Sequence, residues 1–82
     1  MTVSYGAVVK SLAGRDKGYL LAVVSVENDK VFVCDGKERP LERPKSKNRK
    51  HLFVTDVILD ADSMSTNRKL KRALHDISEE VK

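Results

Sequence analysis

The chain has 82 residues, with no Trp, two Phe and two Tyr, and its 16 Lys plus Arg against 12 Asp plus Glu give a net charge of +4. That length allows one domain on a small core of Val, Leu and Ile. No run approaches the ~20 apolar residues of a membrane span, no signal peptide is visible, and the single cysteine, Cys34, excludes an internal disulfide and fits a reducing cytosol.

In chain order, Met1 to Ser4 reads as a loose lead-in and Tyr5 to Lys10 as the first strand. Gly14 and Gly18 bracket a charged tip of Arg15, Asp16 and Lys17, a glycine-punctuated turn between two strands. Tyr19 to Glu27 is β-branched and nearly continuous in apolar residues. Such a run is a strand buried on both faces, or a bent strand serving two sheets of a small barrel. Asn28 and Asp29 make a turn tolerant of positive φ, leading into a further strand, Lys30 to Asp35, which Gly36 ends.

Residues 37–51 change character, with seven Lys or Arg against two Glu. Pro40 and Pro44 argue against a helix or a central strand, so this stretch reads as an extended basic loop, longer than the usual hairpin connection. Leu52 to Leu59 returns to β-forming composition as a fourth strand, with Asp56 marking a point where it could divide into a fifth. From Thr66 the period becomes helical, with Leu70, Ala73, Leu74, Ile77 and Val81 on one face and Ser65 or Thr66 placed to cap the start. Arg68, Lys69, Lys71 and Arg72 crowd the helix N-terminal half while Asp76, Glu79 and Glu80 sit near its end. That order opposes the macrodipole, so helix stability does not explain these charges and an external polyanion would. The expected division is a β domain over 1–59, including the basic loop, and a linker and helix over 60–82.

Catalysis finds little support. No pair of acids shares a face with a histidine. Cys34 in a strand interior reads as a small core hydrophobe, and His75 as a partly exposed helix residue. One Cys and two separated His cannot supply a zinc site, and no phosphate loop precedes a helix. The expectation is a non-enzyme with no cofactor or metal. The basic loop is the strongest functional feature; the bland alternative is a solvated tether. Crowded like charges repel unless a polyanion neutralises them, and Lys and Arg bind phosphate through counterion release with little regard for sequence. Tyr5 and Tyr19 are expected to pack in the core or on its rim. With so few aromatics, structured or double-helical RNA fits better than a stacked single strand.

The residues also carry a resemblance. Gly6-Ala-Val-Val9, a second glycine at 14, Arg15-Asp-Lys-Gly18 and the strand after it resemble the KOW motif of ribosomal proteins and NusG-type elongation factors. Asn28-Asp29, Val33-Cys-Asp-Gly36 and Lys50-His-Leu52 continue the likeness over roughly residues 5–56. The last two are similar to KOW-carrying large-subunit ribosomal proteins of archaea and eukaryotes and their short bacterial relatives. The resemblance implies a mostly β, SH3-like barrel of four or five strands, and the helical period from Thr66 adds one C-terminal amphipathic helix packed on it. It implies an RNA-binding, ribosome-associated cytoplasmic protein, monomeric off the ribosome, with ribosomal RNA as ligand. The expected RNA contacts are Arg15 and Lys17 at the hairpin tip and Arg39, Arg43, Lys45, Lys47, Asn48, Arg49, Lys50 and His51 in the loop. Arg68, Lys69 and Arg72 on the helix form a second set. Replacing Lys45, Lys47, Arg49 and Lys50 with Ala is expected to abolish binding without unfolding the barrel. The alternative is a protein-interaction module, with RNA polymerase or a ribosomal protein as partner or with the helix as a docking or dimer element.

Overall fold

A computed structural model describes residues 3–80, with the backbone alone at 79 and 80. Half of the expected lead-in, the side chains of Glu79 and Glu80, and Val81 on the helix face lie outside the described residues. Five antiparallel strands form one sheet: β1 Ala7–Ser11, β2 Leu20–Glu27, β3 Lys30–Cys34, β4 Lys45–Asn48 and β5 Leu52–Ile58. Their order across the sheet is β4-β3-β2-β1-β5. A three-residue 3₁₀ turn, Arg49–His51, separates β4 from β5, and α1, Asn67–Glu80, closes the chain.

Strand alternation buries both faces of this sheet. Ala7, Val9, Leu21, Val23, Val31, Val33 and Leu52 point to one side and form the first cluster. Their neighbours Val8, Ala22 and Cys34 point to the other, where Met64 and α1 residues Leu70 and Leu74 cover them. This is why β2 reads as continuously apolar through Val23. Beyond a register shift between Val23 and Ser25 the strand becomes exposed, so β2 is bent and pairs with β1 through its first half and with β3 mainly through its second.

Among the described residues no helix covers the first cluster, against which Val3 and Val54 pack, so the sheet must curl to shield it. The connection from β4 to β5 requires the same. Across a flat five-stranded sheet the outer strands would stand roughly 19 Å apart, at about 4.8 Å per strand. Asn48 and Leu52, four residues apart, can be separated by no more than roughly 15 Å even when extended, and here the link is a helical turn. The two edges therefore approach each other at that end.

The expected loop over 37–51 is corrected in its second half. Lys45–Asn48 pair with β3, Lys45 opposite Val33 and Asn48 opposite Lys30, and the 3₁₀ turn follows. Pro44 stands just before β4, where its missing N–H interrupts no ladder. The alternation of small and charged residues in Lys-Ser-Lys-Asn hid an edge strand. β5 is not divided at Asp56. Instead its register against β1 shifts, Ala7 facing Ile58 and Val9 facing Val54, and Thr55 Oγ1 donates to the Val8 carbonyl at 2.7 Å.

The helix begins as expected, with Thr66 Oγ1 accepting from the Lys69 N–H at 3.1 Å. It seats closely on the end of β3. Gly36 has φ +80°, and a Cβ there would run into the Asn67 carbonyl oxygen and approach Lys71 N to 3.0 Å. Asn67 also fixes the chain after Gly36: its Oδ1 accepts from Leu41 N at 2.6 Å and its Nδ2 donates to the Glu42 carboxylate. The basic first turns of α1 thus lie beside the first part of the basic segment.

Candidate nucleic-acid interface

The first hairpin tip is built around a buried serine. Ser11, the last residue of β1, is almost wholly buried. Its hydroxyl accepts from Lys47 Nζ at 2.6 Å and lies 2.9 Å from both Ala13 O and Asp16 Oδ1, to one of which it can donate at a time. Lys47 Nζ also donates to Ala13 O at 2.9 Å and to Asp16 Oδ1 at 2.7 Å. The Lys47 side chain is only 8% exposed and that of Asp16 16%. Partial burial alone would raise the Asp16 pKa. Hydrogen bonds from Lys47 and Ser11, with the charges of Lys47 and Lys45, outweigh this and hold the carboxyl below its ordinary range.

Among the expected RNA contacts, Lys47 is thus held within the protein. The ammonium of Lys47 has three protein acceptors and little contact with solvent, so it is a pin between β4 and the tip. A quadruple alanine variant that includes it would damage the fold as well as the surface.

The other expected residues are placed as follows. Arg15, Arg39 and Lys45 line one hollow of about 340 Å³ together with Tyr19, Asp35 and Glu38. Lys17 is exposed at the same tip, and Arg43 is exposed in the turn where its N–H reaches Pro40 O. Asn48, Arg49 and Lys50 line a separate hollow with Asp29 at the β2–β3 turn. Asn48 Oδ1 caps the 3₁₀ turn by accepting from Lys50 N at 3.1 Å. His51 is exposed, and its carbonyl accepts from Leu12 N at 2.8 Å, a backbone bond at the strand entry. Arg68, Lys69 and Arg72 are exposed on α1, where Lys69 pairs with Asp62 at 2.9 Å, so one of these charges has a local partner. The expected RNA contacts of the tip and the loop are therefore divided between two hollows.

Tyr5 and Tyr19 are not core residues, being 55% and 61% exposed. Sequence reasoning gave no role to Asp35, whose Oδ1 accepts from Lys37 N at 2.8 Å and Arg39 N at 2.9 Å and so shapes the start of the basic segment. Asp-Gly followed by charged residues is the sequence signal of such a turn. Burial, then the charges of Asp35 and Glu42, push the Cys34 thiol up to about 11. Among the described residues no three His, Cys, Asp or Glu converge on a metal position, and no helix is long and apolar enough to cross a membrane. In comparison with known proteins, no family model and no curated protein matches the chain.

Proposed function

We propose that the curled sheet is an SH3-like barrel of the KOW kind and that the protein binds RNA, with ribosomal RNA as its ligand and the ribosome as its setting. The observation that carries this reading is the convergence of Arg15, Arg39 and Lys45, from the hairpin tip, the Asp35 turn and β4, on one open hollow. Arg15 and Arg39 have no ion-pair partner among the described residues. Three cations held by rigid elements lose little freedom when they meet phosphates. Lys17, Arg43, Asn48, Arg49, Lys50 and His51 extend the contact surface on either side, with Arg68 and Arg72 on α1. The protein is on this reading a binder and not an enzyme. The test is sedimentation of lysate through a sucrose gradient at low and high salt. Co-migration with the large subunit that high salt removes is expected; migration only at the top of the gradient would contradict ribosome association.

A second reading, a protein-interaction module, has one observation in its favour. Phe53 is 57% exposed and shares an apolar groove of about 630 Å³ with Leu20, Val57 and Ile77, between β5 and α1. It predicts partner binding that changes little with salt and that Phe53→Ala weakens.

A further inference from the structure

The hollow at the hairpin tip is not a plain phosphate tray. Carboxylates stand among its cations: Asp16, already bound to Lys47, and Asp35 and Glu38. A surface meant for backbone alone would carry only positive charge, because a carboxylate repels phosphate and can accept but not donate. The Asp35 oxygen Oδ1 is occupied by two backbone N–H groups. Glu38 has no hydrogen-bond or ion-pair partner among the described residues, and is exposed. The largely exposed Tyr19 lines the same hollow, as do Arg15 and Arg39.

We propose that this hollow seats one unpaired guanine nucleotide of the RNA, its base stacked on Tyr19 and its Watson–Crick edge donating to Glu38, with Arg15, Arg39 and Lys45 on the flanking phosphates. This rests on the RNA-binding reading and adds to it a base-specific contact. The chemistry selects the base. Guanine presents N1–H and the N2 amino group side by side, a pair of donors that a free carboxylate accepts together. Adenine and cytosine present a ring acceptor next to their amino group, and uracil a single ring N–H between carbonyls. A volume of about 340 Å³ lies at the small end of ligand sites, roughly 300–1,000 Å³, and suits one nucleotide, not a stacked run. The shortage of other aromatics agrees with a single seat in place of a stacking platform.

The test uses the full chain with labelled UUGUU and UUAUU pentamers, read by fluorescence anisotropy and by amide shifts at Tyr19, Glu38 and Arg39. UUGUU is expected to bind about tenfold tighter than UUAUU, as a two-bond base contact discriminates. Glu38→Gln should abolish the preference, bringing the ratio of the two affinities close to one. Tyr19→Ala should weaken UUGUU about tenfold, and Tyr19→Phe should keep the affinity; thermal melts confirm that both variants fold. Equal affinity for the two pentamers, or no effect of Tyr19→Ala, with salt-dependent binding of ribosomal RNA intact, overturns the guanine seat alone. Loss of binding to pentamers and ribosomal RNA alike in the wild type overturns both readings.

Discussion

Lys47 Nζ lies 2.7 Å from Asp16 Oδ1, joining β4 to the tip of the first hairpin across 31 residues of sequence. The contact sets the position of Lys45, two residues earlier on β4, whose Nζ is 4.0 Å from the other oxygen of Asp16. It also turns a residue of apparent surface charge into a structural one. Removing either partner leaves a poorly solvated charge behind, so Lys47→Met and Asp16→Asn should each destabilise the protein by about 1–3 kcal/mol. The double variant should be less destabilised than the sum, because neither orphan remains. Urea denaturation of the four proteins measures this, and strict additivity would count against the pin.

The same pair sets a pH dependence. The Asp16 carboxyl is held below its ordinary value of 3.8. A depressed native pKa adds stability that is fully present above the unfolded value and is lost as the pH falls through the native one. Wild-type stability should therefore drop below about pH 4 more steeply than that of Asp16→Asn. Parallel acid limbs in the two proteins would show that Asp16 is not perturbed.

Cys34 is fully buried beneath α1, with its thiol raised to about 11. It should stay protonated at neutral pH and react with a disulfide reagent only as the protein opens. Labelling should be slow in buffer and fast in urea, and rapid labelling of the native protein would mean that the helix does not cover it.

Helix docking depends on one glycine and one leucine. Gly36→Ala combines a left-handed φ with a collision against the α1 backbone, and should cost at least about 1–2 kcal/mol. Leu70→Ala empties a fully buried site and should cost about 2–5 kcal/mol. Hydrogen exchange should show α1 amides losing protection first in Gly36→Ala, and uniform loss across the sheet would assign the strain elsewhere.

Much of the fold can be read from local chemistry. Asn28 adopts φ +54° in the turn expected of Asn-Asp, β2 is bent as its apolar run allowed, and Thr66 caps α1. Four strand positions, β1, β2, β3 and β5, and the helix face follow from local composition and periodicity. β4 does not, because an edge strand of Lys, Ser and Asn has no apolar alternation and is set by its pairing with β3. Its pairing also decides the candidate site. Charge counting cannot tell Lys45 from Lys47: both lie on β4, and only the curl of the sheet brings the second against Ser11 and Asp16. Tyr19 looked like a packing residue because aromatics usually are. Its exposure follows from its place just before β2, outside the curl.

The most direct test of RNA binding by these exposed cations is the salt dependence of affinity for ribosomal RNA, compared between the wild type and a variant with Arg15, Lys17, Arg39 and Lys50 changed to Ala. All four are exposed, so the fold should survive and its melting point should stay near that of the wild type. The expected wild-type result is log K falling linearly with log salt, by about 0.7–0.9 for each phosphate neutralised. The variant should bind more weakly with a visibly shallower slope. A wild-type affinity indifferent to salt, or a variant with unchanged slope and affinity, would contradict the account.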